Sequence, residues 1–81
     1  MLSIYYSKTN GEIYTVTQSS NKQGYERFGD FADDMALIFN ILYMEDNEYL
    51  MMNSNLFRIV DGEVRLREEV INIKSSNNSD K

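Results

Sequence analysis

Met35-Ala-Leu-Ile-Phe-Asn-Ile-Leu-Tyr-Met44 is the stretch whose reading decides the fold of this chain. Only Asn40 and the hydroxyl of Tyr43 interrupt its apolar character. Phe31, Met35, Ile38, Phe39 and Leu42 fall at i, i+4, i+7, i+8 and i+11, the spacing of one helical face. Leu37, Ile41 and Met44 widen that face. Asp30 offers an N-cap, and Asp33 and Asp34 put negative charge in the first turn, where the helix dipole favours it. The spacing, the acidic start and the length therefore predict a helix. A buried strand across Ala36–Tyr43 is the rival, because periodicity discriminates poorly inside a continuous apolar run.

A helix on the surface of a small monomer keeps a polar face. This one barely does, and a chain of 81 residues has little material with which to enclose it. A protein partner or a second copy is the expected cover. An isologous dimer is attractive, since one patch on two copies covers itself. The expected interface is Leu37, Ile38, Ile41, Leu42, Met44 and Met51. Methionines suit either an adaptable contact surface or a gap-filled core.

Working toward the N-terminus, Leu2–Ser7 and Glu12–Thr17 read as strands around Asn10-Gly11, a pair that favours a two-residue type I′ turn. That turn would set Tyr6 opposite Thr15 and Ile4 opposite Thr17. Leu2, Ile4, Tyr6 and Ile13 would share one face, with Tyr5, Tyr14 and Val16 on the other. The polar stretch 18–29 holds two glycines and reads as a loop anchored by Tyr25 and Phe28.

Toward the C-terminus, Glu48–Asn53 reads as a third strand. Leu56–Val60 and Glu63–Arg67 form a second hairpin around Asp61-Gly62. Ile59 then faces Val64 and Phe57 faces Leu66, on the core side. Arg58 falls opposite Arg65, an opposition of like charges that needs an offset. Glu68–Lys74 could extend the last strand through Val70, Ile71 and Ile73. Residues 75–81 form a polar tail expected to be disordered. The order ββαβββ specifies a single α+β domain over residues 1–74: one helix packed on a mostly antiparallel sheet of two hairpins plus a strand.

Composition removes most chemistry. The chain has no cysteine and no histidine, so thiolate catalysis, zinc-thiolate sites and the commonest general base are absent. A carboxylate-only glycosidase needs a deep cleft that so short a chain can hardly build. No enzymatic activity and no cofactor are expected. Neither Asp30-Phe-Ala-Asp-Asp34 nor Glu45-Asp-Asn-Glu48 has the alternating oxygen ligands and glycine bend of a calcium loop. The N-terminus lacks a signal-peptide pattern, and the apolar run is about half of what spans a bilayer. The chain reads as soluble, cytoplasmic and without a membrane partner.

Net charge is −5, and no Lys or Arg occurs between Arg27 and Arg58. Asp30, Asp33, Asp34, Glu45, Asp46 and Glu48 lie inside that gap. Direct nucleic-acid binding is disfavoured, because phosphate neutralisation needs clustered cations. The acidic stretch suggests the opposite role: carboxylates standing where phosphates would lie, in an inhibitor that occupies a basic groove. Helix capping and solubility explain the same residues more simply. Arg58, Arg65 and Arg67 could in turn receive an acidic partner, or pair with Glu63 or Glu12.

Ile4-Tyr-Tyr-Ser-Lys-Thr-Asn-Gly-Glu-Ile13 and Phe57-Arg-Ile-Val-Asp-Gly-Glu-Val-Arg-Leu66 resemble hairpins of small orphan proteins of bacteriophages from low-GC Gram-positive bacteria. The resemblance is one of style and transfers no functional residue. It implies a phage or prophage setting in a bacterial host, where accessory proteins bind host or rival proteins or help build the virion. The expected function is a non-enzymatic protein-interaction module acting as a homodimer, with an acidic inhibitor or a structural virion component as alternatives.

Overall fold

The long apolar run is two elements. In the computed structural model, which describes residues 1–67, α1 spans Ala32–Ile38 and β3 spans Phe39–Met44. The predicted helix holds for its first half only, and the rival strand holds for the second. Composition explains where the change falls. Ala32, Met35, Ala36 and Leu37 are strong helix formers, whereas Phe39, Ile41 and Tyr43 are β-branched or aromatic and suit a sheet. Asp33 and Asp34 occupy the first turn as expected, but Phe31 takes the cap position and no side chain caps the helix.

β1 (Leu2–Ser7) is the centre of a three-stranded antiparallel sheet, with β2 (Ile13–Gln18) on one side and β3 on the other. A second sheet is the hairpin of β4 (Phe57–Val60) and β5 (Glu63–Leu66). The fold is α+β and its strands pair antiparallel, but the two hairpins stand in separate sheets, and the strand added to the first is Phe39–Met44.

β3 carries apolar groups on both sides because both faces of the sheet are partly covered, and its residues other than exposed Asn40 are half-buried. On one face, Leu2, Ile4, Leu42 and Met44 meet Leu50, Met51, Phe57, Ile59 and Val64. Leu2, Ile4, Leu50 and Ile59 are each at most 5% exposed, so the fully buried core is small. On the other face lies the polar segment between β2 and α1. Three tyrosine hydroxyls tie it down: Tyr5 donates to Gly24 O, Tyr43 to Gln23 O and Tyr25 to Phe39 O, each at 2.6 Å. Tyr5 is fully buried there, edge-on to Tyr25 and Phe28. The segment ends in 3-10 turns over Glu26–Phe31, kinked at Gly29 (φ 58°).

The first hairpin departs from the expected pairing. Tyr5 faces Thr15 and Ile4 faces Val16, and a bulge then sets Tyr6 opposite Ile13. Val16 therefore joins the Ile4 face. The loop runs over Lys8–Gly11 instead of two residues, closed by Ser7 N–H to Glu12 O (2.9 Å) and Gly11 N–H to Ser7 O (3.0 Å). The cause is tertiary: Gly11 (φ 74°) accepts from Ile59 N–H at 2.8 Å and ties this turn to β4. The second hairpin has the expected pairing, with Ile59 opposite Val64, Phe57 opposite Leu66 and Arg58 opposite Arg65. Asp61 (φ 53°) and Gly62 (φ 78°) supply its turn. Leu66, expected in the core, is 51% exposed at the open end of this hairpin.

The strand expected over Glu48–Asn53 is a helix, α2 (Glu48–Met52). The Asn47 side chain accepts from Leu50 N–H at 3.0 Å and starts it, with Glu48 in the first turn. One helical face then drops Leu50 into the core. The expected strand extension over Glu68–Lys74 and the tail 75–81 lie outside the described residues.

Candidate protein-interaction surface

α1 has no buried residue. Leu37 is 76% exposed, Phe31 63% and Ile38 51%. Phe31 at the cap of α1 and Leu37 and Ile38 in its last turn thus leave three large apolar groups in the open at this short helix. Of the expected interface residues, Leu37 and Ile38 are therefore open to solvent. Ile41 is half-buried on the tyrosine-stapled face. Leu42, Met44 and Met51 are half-buried against the core. The six expected interface residues thus divide among the exposed end of α1, the tyrosine-stapled face and the core face of the sheet.

A second exposed apolar zone was not legible in the strand reading of Glu48–Asn53. Tyr49 and Met52 are exposed, and Tyr49 packs edge-on against Phe57 with ring centres 6.0 Å apart. Phe57 pairs with exposed Leu66. Recognising Asn47 as an N-cap would have placed Tyr49 and Met52 together, three residues apart on a helix.

The six acidic residues are all exposed, but they form two groups. Asp30, Asp33 and Asp34 surround the start of α1, and Glu45, Asp46 and Glu48 follow the end of β3. The rest of α1 and the six-residue β3 separate the groups, the strand alone roughly 20 Å of extended chain. Asp46 is engaged by the ammonium of Met1, which also donates to Ser19 O at 2.9 Å. That contact, followed by one with Gln18, holds the Asp46 carboxyl below the ordinary carboxylate range. The Glu26 carboxyl is also lowered, chiefly by the Gly24 N–H.

Between the two hairpin turns lies an open cleft of about 510 Å³, lined by residues 6–11 and 58–62. Lys8 and Arg58 bring positive charge to it and Asp61 negative. The basic side chains do not gather beyond this. Arg65 pairs with Glu63 at 2.8 Å and Arg67 with Glu12, which supplies part of the offset that the Arg58–Arg65 opposition needs. Arg27 sits over the rings of Tyr5 and Phe28, 5.6 Å from each, and Lys22 over Tyr43 at 5.2 Å. Among the described residues no cluster of acidic groups is placed to hold a metal ion, and no helix is long and apolar enough to cross a membrane.

No family model, curated protein or solved structure matches this chain. Its surface chemistry is then the guide to function: apolar groups in the open beside an edge strand, with acidic groups around the start of α1 and after the end of β3.

Proposed function

We propose that this chain is a non-enzymatic protein-interaction module that works as a homodimer. The exposure of Phe31, Leu37 and Ile38 on α1 carries this reading. Single exposed apolar residues are ordinary, but three large ones at one seven-residue helix support a contact surface. The phage-like style of the hairpins supports an accessory role in a bacterial cell. Sedimentation or light scattering across a concentration series tests it. The mass should double within the accessible range, and Leu37→Asp should delay that doubling. A constant monomer mass at the highest concentration overturns it.

A second reading is an acidic inhibitor that enters the basic groove of a nucleic-acid enzyme. The exposure of all six acidic side chains favours it. Their division into two groups requires a groove with two separate basic sites. Charge reversal at Asp33 and Asp34 should then remove one site and weaken binding without disturbing the Met1–Asp46 contact. Unchanged binding rejects this reading.

A further inference from the structure

We propose that the outer edge of β3 is the seam of the dimer, and that two copies join there antiparallel with Leu42 opposite its own copy. The inference rests on the homodimer reading and names its surface and register.

The direction of each β3 amide follows from the ladder. Lys8 N–H donates to Ile38 O at 3.0 Å, which makes Lys8–Ile38 a hydrogen-bonded pair in continuation of the β1–β3 pairing. Antiparallel ladders alternate. Asn40, Leu42 and Met44 therefore bond to β1, and Phe39, Ile41 and Tyr43 turn their N–H and C=O groups outward. The β1–β2 side has the matching phase, since Met1 and Ser19 exchange both of their bonds at the end of that ladder.

Phe39 is already occupied. Its N–H bonds to Met35 O, and its C=O accepts from the Tyr25 hydroxyl. Among the described residues nothing bonds to the outward groups of Ile41 and Tyr43. This edge also lacks the devices that protect edges: β3 has no Lys, Arg or Pro, and its pairing with β1 is free of bulges. The opposite edge of the sheet differs. β2 carries a bulge, and the bridge between Glu12 and Arg58 of β4 adjoins it.

A two-fold axis through Leu42 sets Ile41 of each copy against Tyr43 of the other, using both unpartnered residues of both edges. An axis through Ile41 would need the groups of Phe39 that are already bonded. An axis through Tyr43 would set Ile41 against Glu45, beyond the end of the strand. The Leu42 register leaves Asn40 opposite Met44, so no like charges face each other along β3. Leu42 against its own copy, Asn40 against Met44 and Ile41 against Tyr43 make this register self-complementary over the strand, and that spacing points to a second copy in preference to an unrelated strand.

Amide hydrogen exchange on the whole chain, measured from dilute to concentrated protein beside light scattering, tests the proposal. The Ile41 and Tyr43 amides should slow roughly tenfold or more as the mass doubles, because association removes them from water. An isotope-filtered contact should join Leu42 Hα of labelled and unlabelled copies, whose Cα atoms would lie about 4.5 Å apart. Ile41→Pro deletes an outward donor and spares the bonds to β1, so it should give a folded monomer. If that variant does not fold, exchange on the unaltered chain still decides. A dimer whose Ile41 and Tyr43 amides exchange at the monomer rate overturns the seam and leaves the homodimer reading intact. Slowed amides with a filtered contact centred elsewhere overturn the register. A constant monomer mass overturns both.

Discussion

The Tyr25 hydroxyl donates to the carbonyl of Phe39 across fourteen residues of sequence, at 2.6 Å. Phe39 is where α1 becomes β3, so this bond holds the junction against the aromatic layer above the sheet. Burial raises the Tyr25 phenol above its ordinary range and keeps it in the donating form. Tyr25→Phe removes the bond and little volume. It should cost about 1 kcal/mol, read as a lower urea midpoint with an unchanged slope. It would also release the Phe39 carbonyl.

Gly11 and Gly62 separate backbone conformation from contact. Both have positive φ, but a Cβ on Gly11 would fall 2.0 Å from the carbonyl oxygen of Ile59, and one on Gly62 would meet nothing within 4 Å. Gly62→Ala should cost roughly 1–2 kcal/mol for the left-handed conformation alone. Gly11→Ala adds the clash and should cost about 3 kcal/mol or more. Equal losses in thermal or urea unfolding would contradict the close approach of the first turn to β4.

The Asp61-Gly62 hairpin was legible because its pairing is set by its own turn. The Asn10-Gly11 hairpin was not, because Ile59 claims the Gly11 carbonyl and widens the loop. Met35–Met44 misled for a related reason. An apolar run covered on both faces looks the same as a strand or as a helix, and the cover of β3 comes from segment 19–31, which looks merely polar in sequence. The tyrosines that bind this segment donate to backbone carbonyls, which sequence does not display. The exposure of Leu37 and Ile38 was legible because nothing nearby in the chain could hide them. Leu42, Met44 and Met51 lean on core residues that only the folded chain brings close.

Asn47 is the local signal that distinguishes α2 from a strand. Its side-chain oxygen accepts from Leu50 N–H at 3.0 Å. Asn47→Ala should cost about 1 kcal/mol, and Asn47→Asp should retain most of the stability. Because α2 carries Leu50 into the core, the loss should appear as global destabilisation in urea and not as local fraying of α2.

Stability should fall at both ends of the pH scale, for opposite reasons. The Asp46 carboxyl is lowered by the Met1 ammonium and then by Gln18, and Glu26 chiefly by Gly24 N–H. Over the interval between the folded and unfolded values, the unfolded chain binds more protons. Their contribution is present above the unfolded carboxylate range and disappears as pH falls through the folded values. The Tyr5 and Tyr25 phenols are raised mainly by burial. Their contribution is present below the ordinary phenol range and is lost as pH rises through the folded values. Urea midpoints between pH 7 and 3 should decline less for Asp46→Asn than for the unaltered chain. Tyr5→Phe and Tyr25→Phe should each remove one component that titrates above the ordinary phenol range from the phenolate absorbance.

Salt should separate the two functional readings, because they place the same charge in opposite relations to the partner. Two copies of a chain with net charge −5 repel at long range. Joined along β3, they meet through apolar side chains and backbone bonds, with the acidic groups around the start of α1 and after the end of β3. Screening removes repulsion and leaves those contacts, and the Debye length falls from about 30 Å at 0.01 M salt to about 10 Å at 0.1 M. Dimerisation should therefore strengthen over that range and then level off. An inhibitor that lays Asp33, Asp34, Glu45 and Glu48 into a basic groove does the reverse: its attraction is screened, and binding weakens steadily with salt. Sedimentation of the chain alone at both salt concentrations decides the first case. A dimer that dissociates as salt rises would mean that opposite charges hold it, and the β3 seam would then be the wrong surface.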